Sequence, residues 1–579
     1  MKKIFKNSMI LLSLGLMASC QDYLEVKPQG YVEAGTPTVE SAEGLLTAAY
    51  AGVGNDDMIG PMASMWVYGS VRSDDAYKGG GGTGDVDVFN AYEQYNITQP
   101  SQGWLAGTPF TWENAYSAIS RANAALRMMN QLTDEEYPNR KERIAEARFL
   151  RGHSHFLLKV LFKYIPYIDE TLSNDEIIQT SNKKYTNDEL WNKIAEDFQS
   201  GIVNLPEEQT EIGRINKYAA TAYLAKLRLY QAYEQNENNQ VININQTRLQ
   251  EVVDLTNVVI NSDKYSLNAD FAENFLPSGD NGPESVFAIQ FSINDGTTAG
   301  RLNFETGLNY PHGAPQYGCC GFHQPSQNLV NAFGTDANGL PKFNDFNEAT
   351  LNGTNITTNG VTVDPRIDHS VGIAGHPYKY RNEDEYIFSN SWVREAGVYG
   401  TFQSMKEQQV ADCDCYKKQG PFMGVSKNID IIRYDDVLLM QAEAYIELGQ
   451  QDKAMPLINK IRERASKSTG KTKLANGDFP SNYKISLYDG VNLPWTQDNA
   501  RMALQWERRL EFALESPRFF DLVRWGIAEP TLNAYLTKEK TRRDYLNSAK
   551  FTAGRDEYFP IPQREIDFTK GVYIQNVGY

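Results

Sequence analysis

The chain has 579 residues, 41% hydrophobic and 22% charged, the composition of a globular protein large enough for one big domain or several. Its formal charge is −17, and −20 once Lys2, Lys3 and Lys6 leave with the leader described below. That balance argues against a nucleic-acid ligand and favours a neutral polysaccharide over a strongly acidic one.

The first 19 residues read as a leader. Lys2, Lys3 and Lys6 precede an apolar run, residues 9–17, that is too short to span a bilayer, and Ala18-Ser19-Cys20 closes it. The small-small-Cys ending resembles the lipobox of bacterial lipoproteins, with Met17 where Leu is usual. In that family the cysteine is diacylated, becomes residue one and is then N-acylated. The alternative is an ordinary signal peptide cut after Ala18 or Ser19. Acylation at Cys20 makes a lasting anchor, because each buried methylene adds about 0.8 kcal/mol. Residues 20–37, with Pro28, Gly30 and Gly35, are expected to be a polar tether outside the cytoplasm.

Residues 38–579 are expected to form a single domain. Thr38 is a plausible N-cap for a first helix bearing Ala42, Leu45, Leu46 and Ala49. About 58–111 is irregular. It holds Trp66, Arg72, Asp75 and the run Gly79-Gly80-Gly81-Gly82-Thr83-Gly84. That run satisfies G-x-G-x-x-G, but the sequence shows neither a hydrophobic strand before it nor a helix directly after it, so a dinucleotide site is rejected. Apolar stripes at three- and four-residue steps predict helices over 112–130, 143–164, 191–205, 217–233, 247–261, 431–448 and 452–465. Asp452 is the expected N-cap of the last of these. The helix–turn–helix lengths fit tetratricopeptide-like units, with Ala444, Gly449 and Ala454 at small-residue positions. Such pairs must stack, because each leaves an apolar face only a neighbour can cover.

From about 265 to 424 helical periodicity mostly disappears, apart from one expected strand at 284–291. Long irregular insertions of this kind are usually functional. Cys319-Cys320 and Cys413-x-Cys415 are expected to form one or two disulfides between or within the pairs in an oxidising exterior. A metal site joining these sulfurs to His312 or His323 matches no zinc spacing.

Residues 501–526 read RMALQWERRLEFALESPRFFDLVRWG. This block resembles the C-terminal signature of the SusD/RagB family of glycan-binding outer-membrane lipoproteins of Bacteroidetes. The resemblance extends to Tyr558-Phe559-Pro560-Ile561-Pro562, to 433–444, to 145–151 and to 22–30, in family order. Ser516-Pro517 departs from it, since members commonly carry a glycine-containing turn there. The resemblance implies a mainly α fold: a scaffold of four tetratricopeptide-like helix pairs (about 112–264 and 425–526), an irregular ligand-binding part and a C-terminal tail (527–579). It also implies a lid on a SusC-like TonB-dependent transporter that binds oligosaccharides without cleaving them. Capture of peptides or glycopeptides is the alternative, as in RagA-type systems.

The candidate site is therefore aromatic. Trp66, Tyr92, Trp104, Tyr317, Phe322 and Trp392 are candidates for a stacking arc, because flat rings stack on the C–H faces of sugars. Arg72, Asp75 and Asn96 are candidates for hydrogen bonds to hydroxyls. Glu507, Glu511 and Glu515 share a helix face, but interleaved Arg508, Arg509, Arg518 and Arg524, with Asp521, point to an ion-pair network rather than to hydrolysis. His153 and His155, two apart on a helix, point to different faces and form no metal pair. No cofactor is expected.

Overall fold

The computed structural model describes residues 37–54, 57–98, 107–297, 300–357 and 361–579. Cys20, the leader, most of the tether and Trp104 lie outside the described residues. The first helix, α1 (Val39–Val53), starts where expected: the Thr38 hydroxyl accepts the Ser41 N–H at 3.1 Å, a cap contributing about 1 kcal/mol. The first irregular stretch contributes β1 (Ala76–Gly79) and α2 (Asp87–Gln94).

The stack proper follows. α3 (Thr108–Met129) begins before its apolar stripe, because Pro109 pre-sets the helical φ directly after Gly107. α4 (Arg140–Phe162), α5 (Asn187–Asn204), α6 (Lys217–Ala232) and α7 (Gln246–Ile260) match the remaining stripes to within a few residues. Thr186 and Glu189 form a capping box that opens α5. α1 packs on α3, and each helix from α3 to α7 packs on the next. The α5–α6 contact is close: a Cβ on Gly201 would lie 2.7 Å from the Ala220 Cβ. Buried charges tie the layers. Asp197 on α5 accepts from Arg151 of α4 at 2.7 Å, and Glu146 on α4 accepts from Arg214 at 3.0 Å. His153 and His155 serve different neighbours. His153 meets the Tyr223 hydroxyl at 2.8 Å, His155 accepts the Ile168 N–H at 3.3 Å, and burial holds both at about 3.

The loop-rich part is inserted between two helices that pack on each other. It contributes β2 (Ser285–Ile289) and β3 (Phe322–Pro325), after which the chain returns through β4 (Ile429–Arg433) to α8 (Tyr434–Glu447), which packs on α7. The start of the expected helix at 431 is corrected here. Ile429 pairs with Ile289 in an antiparallel ladder, so β-branched Ile429, Ile431 and Ile432 extend the partner of the expected strand. α9 (Gln451–Lys467) and α10 (Gln497–Glu511) complete the stack. Asp452 is not a cap: α9 starts one residue earlier, and Gln450 before it makes no side-chain capping bond. Ala444 and Ala454 are buried at the contact. Gly449 instead serves the turn, at φ +72 with open space around it.

α11 (Pro517–Arg524) follows α10 after a sharp corner. Ser516 takes the left-handed φ of 82, the conformation a glycine would adopt freely, and its hydroxyl donates to the Ser64 carbonyl at 2.8 Å. Both cysteine pairs are disulfides within the pair, Cys319–Cys320 and Cys413–Cys415. Among the described residues no helix is long and apolar enough to cross a membrane.

Candidate ligand-binding face

One short sheet sets the geometry of the loop-rich face. β1 pairs antiparallel with β3, Gly79 opposite Phe322. The glycine turn leaving β1 and the Gly318–Gly321 segment entering β3 therefore emerge side by side, joined by the Gly80 N–H to the Gly321 carbonyl at 2.8 Å. A strand does precede the glycine run, and α2 follows it, contrary to the sequence reading. The sheet is nonetheless a two-stranded antiparallel pair, without the βαβ crossover a dinucleotide fold needs.

The glycines make room. A Cβ on Gly80 (φ +76) would sit 2.5 Å from the Phe322 ring, and one on Gly81 would sit 2.4 Å from the Arg394 guanidinium. Arg394 Nη1 donates to Asp85 Oδ2 at 3.0 Å and to the Cys320 carbonyl at 3.1 Å. Asp85 Oδ2 also accepts the Gly81 N–H at 2.8 Å. Buried Lys78 braces the turn from within, donating to the Gly82 carbonyl at 2.8 Å and to that of Asp85. Burial lowers its amine to about 8, against the pull of Glu93 and Asp85. Gly81, Thr83, Gly84, His312 and Gly318 are exposed around this core, and Cys319 is half-buried. Arg394 and Asp85 keep 30% and 33% of their side chains open to solvent. The result is a face on which a guanidinium, a carboxylate and backbone groups meet, partly open to solvent.

Most of the expected contact residues lie beneath this face rather than on it. Trp66, Tyr92 and Phe322 are brought together but buried. Trp66 lies 6.3 Å from Phe322 and 5.3 Å from Phe89, which reaches Tyr92 at 6.2 Å. They support the turn as its floor, and rings packed on both faces present no stacking surface. Tyr317 and Trp392 belong to a second buried cluster, with Tyr310, Tyr378 and Phe388. Arg72 is buried over the Phe559 ring at 3.9 Å and donates to the Asp556 carbonyl. Asp75 is held by Arg509 at 3.0 Å. These seven are corrected from surface contacts to packing residues. Asn96 is exposed, its amide donating to Gln94 at 3.1 Å. The sequence reading missed Lys78, Asp85 and Arg394. The glycine run beside Asp85 was the available signal, whereas Arg394 stands far from both in sequence.

The C-terminal carboxylates are structural. Glu507 is bound by Arg366 at 2.6 Å and Arg462 at 3.0 Å, and Glu511 by Arg366 at 2.8 Å and by Arg464. Glu515 pairs with Lys406 at 2.6 Å and with Arg433. Arg508 holds Asp521 at 2.8 Å and Asp436 at 2.9 Å, and Arg518 holds Asp74 at 2.8 Å. Glu284, Asp435 and Glu511 approach closely enough to suggest a cation site. Arg433, Arg464 and Arg366 already supply their positive charge, so these donors do not fit a metal ion.

Residues 283–579 match the model of the SusD family, and residues 22–229 match a family described as starch-binding associating with outer membrane. SusD-like protein P2 of Formosa agariphila is 24% identical over 593 aligned residues, covering 100% of both chains. A SusD homolog from Bacteroides thetaiotaomicron superposes with a TM-score of 0.68 at 20% identity, covering 95% of this chain and 100% of that one. Surface glycan-binding protein A from Bacteroides fluxus gives 0.62 at 23%, covering 94% and 100%. These likenesses agree with the helical stack in fold. With a family model spanning half the chain and including the whole C-terminal block, the chain belongs to the SusD family.

Proposed function

We propose that the chain is a non-catalytic capture protein, tethered to the outer membrane through Cys20. It holds a neutral oligosaccharide or polysaccharide on the loop-rich face and passes it to a SusC-like TonB-dependent transporter. The observation that carries this reading is the face itself: a glycine-rich turn in which the exposed Thr83 is the one side chain between Gly79 and Gly84, flanked by the solvent-accessible Arg394–Asp85 pair. Guanidinium and carboxylate hydrogen-bond hydroxyls from opposite polarities. Asn96, which is exposed, and Trp104, which lies outside the described residues, are the remaining sequence candidates for contact. Binding without cleavage is supported by the burial of Glu507 and Glu511 in arginine pairs, where no substrate reaches them. The name of the Bacteroides fluxus relative supports a glycan ligand, and the outer-membrane family description supports the tether.

Isothermal titration against a panel of neutral polysaccharides and their oligosaccharides tests the ligand class. The expected result is saturable binding that tightens with chain length, as each shallow subsite adds a little. Binding of peptides or glycopeptides with no response to any glycan replaces this reading with peptide capture. Co-purification of a barrel partner from outer membranes tests the transporter.

A further inference from the structure

Gln324 lies on β3 opposite Tyr77 of β1 and is fully buried. An amide in such a place has to find its partners within the protein. Nε2 donates to the Gly321 carbonyl at 2.9 Å and to the Arg394 carbonyl at 3.0 Å. Both partners are acceptors, so the amino end of the amide must face them. Oε1, at the other end, has no partner among the described residues. The side chain is therefore held by its donor end alone, and the unpaired oxygen offsets part of what the two bonds contribute. Its larger effect is on geometry.

That geometry centres on Gly321. Its carbonyl also accepts the Gly80 N–H at 2.8 Å, which ties it to the glycine turn. A Cβ on Gly321 (φ +77) would lie 2.6 Å from the Arg394 Cβ, so the stem of Arg394 passes directly against this glycine. Gln324 bonds the backbone on both sides of that approach. From there the Arg394 guanidinium reaches Asp85 Oδ2 at 3.0 Å and the Cys320 carbonyl at 3.1 Å. Lys78 holds the opposite partner, through the carbonyls of Gly82 and Asp85.

From this geometry we infer that Gln324 is the positioning residue of Arg394. It lies beneath the face, touches no ligand, and fixes the backbone from which the guanidinium reaches the polymer. The inference rests on the function proposed above, in which Arg394 is a contact.

Two readouts test it on the full mature chain. The first is a crystal structure of Gln324→Met, which keeps the length of the side chain and removes both donors. The variant is expected to fold with a melting temperature close to that of the wild type, and with the Arg394 bonds to Asp85 and Cys320 broken. The second is isothermal titration with soluble starch, mixed-linkage β-glucan, arabinoxylan and galactomannan, followed by a double-mutant cycle on whichever binds best. Gln324→Met is expected to bind at least about fivefold more weakly than the wild type, the effect of two lost bonds. In an Arg394→Ala background the same change should alter affinity by no more than about twofold, because a residue that acts through Arg394 has nothing left to position. Should Gln324→Met fail to fold, Gln324→Ala, too short to reach either carbonyl, takes its place in both readouts. An unmoved Arg394 in the variant crystal overturns the proposal. So does an affinity equal to the wild type's, or an equal loss with and without Arg394, which is the signature of a merely structural role. Binding of none of the four polysaccharides, or equal affinity in Arg394→Ala and the wild type, counts against the reading of the face, and the crystal comparison then decides the role of Gln324 by itself.

Discussion

Arg509 illustrates how the interior charges set stability. Its guanidinium is buried and reaches Asp75 at 3.0 Å, Asp74 at 3.2 Å and Asn328 at 2.8 Å. Arg509→Met keeps much of the volume but leaves two buried carboxylates short of a partner. The expected cost is about 3–5 kcal/mol, read from urea denaturation midpoints. Two sets of carboxyls also give pH dependence of opposite sign. Burial alone would raise Asp74, but Arg509 and Arg518 outweigh it and hold the acid at about 2. Asp436 is held at about 2 against burial by Lys226 and Arg508. Their contribution is complete above the ordinary carboxylate range and is lost as pH falls from about 4 toward 2. Glu305 behaves oppositely. Burial raises it to about 7, even though it accepts the N–H groups of Met62, Ala63 and Ser64. Its contribution is complete below its unfolded value and is lost as pH rises from about 4.5 to 7. Glu305→Gln should therefore flatten the fall of the melting temperature over that window, an effect bounded at about 3 kcal/mol. An unchanged slope would contradict this assignment. At this scale the sequence was least legible. Trp66 and Tyr92 have the composition of a sugar-stacking arc, and only the packing of Phe89 and Phe322 around them makes them a floor.

At the scale of elements, the helices were the most legible part, because an apolar stripe at helical spacing reports the buried face wherever the partner comes from. α3 to α7 appear where their stripes lie, and the Thr38 cap is present. Two features escaped that logic. β4 was read into a helix because Ile429–Arg433 runs directly into α8, and its pairing with β2 is a long-range contact no local pattern reports. The α7–α8 contact likewise closes over the whole inserted part. Ser516, a departure from the family's glycine, keeps the left-handed corner through its bond to Ser64. The close α5–α6 approach is testable. In Gly201→Val the new side chain meets Ala220, already only 2.7 Å from a bare Cβ, so the helices must part. A loss of about 1–3 kcal/mol is expected, with the helical circular dichroism of the folded state retained. A neutral effect would mean that the two helices do not approach as closely in solution.

At the scale of the molecule, the fold separates support from the proposed recognition face. The stacked helices and the C-terminal arginine–carboxylate network hold the inserted part, and the insertion brings Arg394 and the Cys320 carbonyl to the Gly80–Asp85 turn, so that three distant stretches of sequence meet. That convergence explains why the architecture could be read from family motifs while the proposed face could not: the motifs mark the support. The proposed role, holding a neutral polymer rather than cutting it, accords with that face and with the burial of Glu507 and Glu511 in arginine pairs. The decisive measurement is a side-by-side calorimetric titration of the wild type and Arg394→Ala with the best-bound neutral polysaccharide. The account predicts at least tenfold weaker binding for the variant, about 1.4 kcal/mol or more, with an unchanged melting temperature. Equal affinity in the two proteins would contradict the assignment of the glycine-turn face as the binding surface.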